Sequence, residues 1–276
     1  RSVFVEHCRI HGNGTELGIH HHNVYTESQG IIFQFNHFGP LRRDAFGNNL
    51  KDRSAGTVIR YNWIEGGSRL LDLVDSDYPH IRSRPDYRET FVYGNVLVKL
   101  ADTTNRQVIH YGGDSDIVDR YRNGTVFVVN NTVVSRRSGT VDLLMLSTPR
   151  DVAIVRNNIL WCSSRVGHLR PMSSPGTAYL GWNWCPRGFE AMLRFMGEEE
   201  GVRVEGQHLF GDNPGFRDAG SGDYRLTPGS PCVGAAGPLP DAMLREHALT
   251  AEYMPHRQAR LRDPRRHLDL GALTSE

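Results

Sequence analysis

Six segments of this chain repeat one design, a short β-rich run around an asparagine or small residue with apolar neighbours. They are VFVEHCRIH (3–11), IIFQFNHFG (31–39), TVIRYNWIE (57–65), TFVYGNVLV (90–98), TVFVVNNTVV (125–134) and DVAIVRNNIL (151–160). Aligned on Cys8, Asn36, Asn62, Asn95, Asn131 and Asn158, they lie 28, 26, 33, 36 and 27 residues apart. A drifting period of about 30 residues, made of short strands and polar turns, marks a stacked solenoid. Helical periodicity is nearly absent from residues 1–160, whereas strand alternation and β-branched residues are abundant. In a stack, an asparagine at an inward bend meets its counterpart one coil on. The two amides then form a ladder that satisfies buried backbone groups. Cys8 takes that slot in the first coil, and the asparagines read as structural.

A second column of extended segments runs between the first. It comprises LGIHHHN (17–23), NNLKDRS (48–54), RLLDLVD (69–75), QVIHYGGDS (107–115) and VDLLMLS (141–147). Alternate residues of a strand face opposite ways. With Leu50, Leu71 and Ile109 inward, Lys51, Arg53, Asp72 and His110 project outward. Coils about 4.8 Å apart bring such groups within joint reach of one sugar unit.

Past Cys162 the pattern changes. Residues 163–187 read as loop, and 187–199 as a short helix with Phe189, Met192, Phe195 and Met196 on one face. That helix serves as a cap, because an open last coil exposes interior and strand edges. Residues 238–262 are expected to form another, irregular helix along the outside. The organisation is thus one all-β domain, with coils over 1–162 and final coils, capping helix and wrapping tail over 163–276.

Thirty-two basic against 31 acidic residues leave a net charge of +1. That gives no global basic field for nucleic acid. No apolar run reaches the roughly 20 residues of a membrane span. A monomer with neither kind of partner is the expectation. Four cysteines without a CxxC pattern argue against a zinc knuckle; Cys162 with Cys185 is the expected bridge in an oxidising compartment. Arg1 leads almost directly into a strand, as in a processed piece of a secreted or periplasmic protein.

The blocks NNLKDRSAGTVIRYNWIEGG and QVIHYGGDS, the repeats VVNNTVV and VRNNIL, and the tail DYRLTPGSPCVGAAG with LDLGAL resemble the pectate-lyase-like superfamily. These are bacterial right-handed parallel β-helix proteins, many of which degrade polysaccharides. The resemblance covers most of the chain. It implies a right-handed parallel β-helix, and is far less specific for activity. Within that superfamily, LKDRSAGTVIRYN is similar to the base-bearing segment of the chondroitinase B and alginate lyase group. Arg53 stands at the lysine position and Lys51 two residues earlier. Where that group has an arginine one coil later, this chain has Asp72 and Asp75. The group also uses calcium, so the resemblance implies Ca2+ held by acidic side chains.

A lyase on a uronate-containing polysaccharide must neutralise a carboxylate, remove the C5 proton and protonate the leaving oxygen. Arginine or calcium serves the first task, and lysine, histidine, arginine or tyrosine the others. The expected catalytic set is Lys51, Arg53, His110 and Tyr111. Arg60, Arg69, Asp72 and Asp75 are expected to bind substrate. The plainer alternative is a surface ion ladder of Lys51 and Arg53 with Asp52, Asp72 and Asp75. A glycosidase would use two carboxylates about 5–9.5 Å apart, such as Asp72 with Asp75, Asp114 or Asp116; the latter two read as solvated turn aspartates. A carbohydrate-binding, adhesin-like β-helix and a uronate epimerase remain open. His20 and His22 share one face of HHH and, with Glu27 or His37, form a weaker candidate metal site. His208 has no partner visible in the sequence.

Overall fold

A computed structural model describes residues 2–164, 167–173, 175–197, 201–263 and 265–275. The repeats wind into three parallel sheets, two of eight strands and one of six. The first sheet holds Val3–Glu6, Ile31–Gln34, Thr57–Arg60, Glu89–Tyr93, Thr125–Val129, Val152–Arg156, Thr177–Gly181 and Val202–Glu205. The second holds Arg9–Ile10, His37–Phe38, Trp63–Glu65, Val96–Lys99, Thr132–Ser135, Ile159–Cys162, Trp184–Pro186 and Leu209–Gly211. Val24–Thr26, Leu50–Asp52, Leu71–Leu73, Gln107–Tyr111, Thr140–Leu146 and His168–Met172 make the third. Six coils visit the three sheets in that order and two more reach the first two, so the chain is a parallel β-helix.

Inside, side chains stack in rows set by the register. Phe33, Ile59, Val92, Val128, Val155 and Leu180 form one row on the first sheet. Leu50, Leu71, Ile109 and Leu144 form another on the third. All ten are fully buried. The expected inward and outward sets on the third sheet therefore hold.

The asparagine ladder is continuous. Asn36 Oδ1 accepts from the Cys8 amide at 3.0 Å. Asn62, Asn95, Asn131, Asn158 and Asn183 each accept, through Oδ1, from the backbone amide and the side-chain Nδ2 of the preceding asparagine. His208 Nδ1 ends it, accepting from the Asn183 amide at 3.2 Å. Before each rung the backbone turns into the left-handed region, at His7, Phe35, Tyr61, Gly94, Asn130, Asn157 and Trp182. This conformation costs a side-chain-bearing residue about 1–2 kcal/mol. Stacking of His7 on Phe35 at 5.2 Å and of Phe35 on Tyr61 at 5.5 Å offsets part of it. Asn95→Ala would strand the Asn62 donors and remove the donor to the buried Ile59 carbonyl. The expected loss is about 3 kcal/mol or more, read as a lower urea midpoint.

After Trp184–Pro186, where a further strand of the third sheet would follow, the chain forms the helix Gly188–Met196 instead. Phe189, Leu193 and Met196 plug the core. Phe195, expected on that face, is 86 % exposed, and Leu193 takes its place. The expected helix over 238–262 is mostly something else. Only Asp241–Glu246 is α-helical, and Ala251–Met254 pairs with Gln258–Leu261 as a hairpin across a short 3-10 turn at Pro255–Arg257. Pro255 between the two strands removes a helical donor and places the turn. The tail binds the bends of the coils: the Thr250 amide donates to Tyr61 Oη, Asn130 Nδ2 to the Asp269 carbonyl, and the Gly271 amide to the Asn157 carbonyl. Cys162 and Cys185 are free thiols, not a bridge. They sit on neighbouring strands of the second sheet, where the register opposes Ile159 with Trp184. Among the described residues no helix is long and apolar enough to cross a membrane.

Lys99 is fully buried, with Nζ donating to the Ser68 carbonyl and, at 2.9 Å, to that of Gln107. Burial, with Arg137 and Arg69 nearby, pushes its ammonium down to about 7. Above that pH the folded state has released a proton that the unfolded chain still holds. Stability should therefore rise from pH 7 to 8.5, with a limiting slope of about 1.4 kcal/mol per pH unit. Urea unfolding of the native chain against Lys99→Met isolates this contribution; the slope should be shallower in the variant.

Candidate functional site

The register sets Tyr25, Lys51, Asp72, His110 and Met145 side by side on the outer face of the third sheet, one from each of five successive strands. Arg53 follows two residues after Lys51 on the same face. Asp114 reaches back from the segment after Gln107–Tyr111. Lys51 Nζ bonds Asp114 Oδ2 and lies 3.3 Å from Asp72 Oδ2. Arg53 Nη2 is 2.7 Å from Asp114 Oδ1, its Nη1 is 3.7 Å from Asp75 Oδ1, and its Nε donates to Tyr25 Oη at 2.7 Å. Burial works against the Arg53 charge, but Asp114, Tyr25 and Asp75 outweigh it and raise its pKa. Tyr25 is 54 % exposed and carries Lys51 Nζ 5.7 Å from its ring centre. It is the exposed aromatic of the row.

Beneath this surface, Asp72 is almost wholly enclosed. Oδ2 accepts from Asn48 Nδ2 at 2.7 Å, and Oδ1 lies 2.7 Å from His110 Nδ1 and 3.3 Å from Arg69 Nη1. Burial would raise its pKa. The hydrogen bond with His110 prevails, helped by the nearby charges of Lys51 and Arg69, and holds it well below the usual carboxylate range. On its far side, His110 Nε2 is 2.9 Å from Ser147 Oγ. Ser147, half-buried, also receives the Gly113 amide at 3.0 Å. A groove of about 370 Å³ opens beside Lys51 and Asp72, lined also by His20, His22, Arg69 and Asp114.

Of the residues expected from sequence, Lys51, Arg53, Arg69, Asp72, Asp75 and His110 come together. Tyr111 does not: strand alternation turns it inward, where it is fully buried and its hydroxyl donates to the Arg88 carbonyl. Arg60 lies on the first sheet, bonded to Gln34 and Tyr93. Asp114, expected to be a solvated turn residue, is the carboxylate that joins both cations. Asp52 is no rung of the outer ion ladder; it faces inward and contacts Arg122 at 3.8 Å. The strand expected over 17–23 is Val24–Thr26 instead, because Asn23 is a bend residue whose side chain bonds Asn49 and the Gly39 carbonyl. Tyr25 was missed for that reason, and Ser147 because nothing local distinguishes its hydroxyl.

The histidine site does not assemble. Glu27 Oε1 accepts from Ser76 Oγ and the Asp77 amide, while His20 is exposed. His22 Nδ1 accepts from the Asn48 amide, and burial with Lys51 nearby pushes its pKa down to about 4. Among the described residues no group of three His, Cys, Asp or Glu side chains is placed to hold a metal ion. The carboxylates that calcium would need, those of Asp72, Asp75 and Asp114, are bound to Lys51, Arg53, Arg69 and His110, so the residues present do not fit that ion.

Comparison of the chain with protein-family models, with curated proteins and with solved structures finds no match.

Proposed function

We propose that this β-helix is a polysaccharide lyase of pectate-lyase-like type that acts on a uronate-containing glycan along the outer face of the third sheet. One observation carries the reading: Lys51, Arg53 and the exposed Tyr25 converge on one patch, and the carboxylate now between the cations belongs to the partly exposed Asp114. A uronate carboxylate has the same charge and shape as Asp114 and can take its place. Arg53, a two-pronged donor, then pairs with the substrate carboxylate. That withdraws charge from C5 and makes its proton removable. Lys51, freed from Asp114, moves the proton. Tyr25 stacks on the neighbouring sugar and presents its hydroxyl to the leaving oxygen. His110 serves in this reaction by holding Asp72.

Asp114→Asn should strengthen binding of an anionic oligosaccharide about two- to five-fold, the scale of one half-exposed charge contact. Calorimetry with oligouronates reads this directly; unchanged or weaker binding would mean that Asp114 does not compete with substrate. The mutual pairing of the charges also favours a second reading, a glycan-binding β-helix without turnover. Product chemistry separates the classes: elimination leaves an unsaturated uronate, hydrolysis a new reducing end, and binding neither.

A further inference from the structure

The elimination reading makes no use of Ser147, yet this side chain completes an arrangement with a chemistry of its own. Asp72, His110 and Ser147 come from three successive coils. The register sets Asp72 opposite His110, and Ser147 follows two residues after Met145, the next residue in that row. The Asp72 Oδ1 to His110 Nδ1 distance is 2.7 Å, and that from His110 Nε2 to Ser147 Oγ is 2.9 Å. Asp72 accepts only, so it selects the tautomer with the proton on Nδ1. Nε2 is left as the acceptor facing the serine hydroxyl. His110 is only 3 % exposed, so packing fixes its ring, whereas Ser147 is half-buried and further out.

We propose that Ser147, His110 and Asp72 form an acyl-transfer relay that hydrolyses small O-acyl esters, a second activity of this face. Ser147 Oγ attacks the ester carbonyl carbon while its proton passes to His110 Nε2. The carbon–oxygen bond to the alcohol breaks, and the departing oxygen takes that proton, leaving an acyl-serine. Water then attacks the acyl carbon and gives its proton to His110. The carboxylic acid leaves, and Oγ is reprotonated. Asp72 holds the imidazole and offsets its transient charge.

The environment of Oγ sets the expected speed. Besides Nε2, the hydroxyl faces the Gly113 carbonyl at 2.9 Å and the Tyr111 carbonyl at 3.2 Å, and it accepts the Gly113 amide at 3.0 Å. Its single proton is therefore shared among three acceptors at rest. In the relay the Gly113 amide, bonded to Oγ at rest, passes to the carbonyl oxygen as the bond forms. One missing oxyanion donor lowers turnover by about 100- to 1,000-fold, so the relay is a slow esterase.

The test uses the whole chain, a fluorophosphonate probe and p-nitrophenyl acetate. The expected result is a single covalent adduct, mapped by peptide mass spectrometry to Ser147. It should be absent in Ser147→Ala and formed about 100-fold more slowly in Asp72→Asn, with acetate release falling in parallel. Mapping on the native chain needs no variant to fold. An unlabelled Ser147, or acetate release unchanged in Ser147→Ala, would overturn the relay. The relay stands or falls apart from the elimination reading, since neither probe contains a uronate.

Discussion

Lys51→Ala and Arg53→Ala are each expected to lower turnover of the uronate glycan by at least about 100-fold, the ordinary scale for removing a positioned proton-transfer or charge-stabilising group. The two positions should fail differently. Lys51→Arg keeps the charge but replaces an amine with a guanidinium, which stays protonated and cannot act as a base. It should therefore bind oligouronates nearly as well as the native chain while turning over little. Arg53→Lys keeps a charge but loses the two-pronged fork, and should weaken binding and turnover together. Separate measurement of KM and kcat reads the contrast. Circular dichroism must show that each variant keeps its β-rich fold, because Arg53→Ala also leaves the buried Asp75 without its cation. Full activity in Lys51→Ala would remove this residue from the mechanism whatever the substrate proves to be.

Arg122→Met should be among the most destabilising single changes in the chain, at about 3–5 kcal/mol. The guanidinium is fully buried. It donates to the carbonyls of Val74 at 3.0 Å and Tyr87 at 3.1 Å, lies 3.8 Å from Asp52 Oδ2, and packs 5.1 Å from the Tyr87 ring centre. Methionine fills much of the space but leaves these carbonyls without a donor and Asp52 without a cation. At about 2–4 °C per kcal/mol for a chain approaching this size, the melting temperature should fall by about 10 °C. The double variant Asp52→Asn with Arg122→Met should lose less than the sum of the two single losses, since the stranded charge is gone. A loss within 1 kcal/mol for Arg122→Met alone would contradict this account of the core. The change should also reach the site. The Arg122 amide bonds the Gly112 carbonyl and closes the segment that carries Asp114.

The coil architecture was legible because it is written twice, as a recurrent asparagine and as strand alternation. Both survive large differences in loop length. The outward set Lys51, Asp72 and His110 followed from alternation alone, and the same rule places Tyr111 inward when applied one residue further. What escaped depended on loop paths. Asp114 follows Gly112 and Gly113, whose turn swings the chain back over Lys51, and no local pattern gives that direction. Tyr25 was displaced by the conspicuous histidine run before it, although Asn23 repeats the bend asparagine seen at Asn49. The Cys162–Cys185 pairing and the long helix at 238–262 were inferred from composition, whereas register and a proline turn decided them.

The most direct test of the glycan-lyase reading is ultraviolet absorbance of unsaturated product from alginate, pectate, chondroitin, hyaluronan and ulvan, each with calcium and with chelator. The reading predicts a rise on at least one of these uronate glycans, persisting in chelator and abolished in Lys51→Ala. No rise on any of them, with oligouronates still bound at Lys51 and Arg53, would contradict the lyase and leave a binding β-helix.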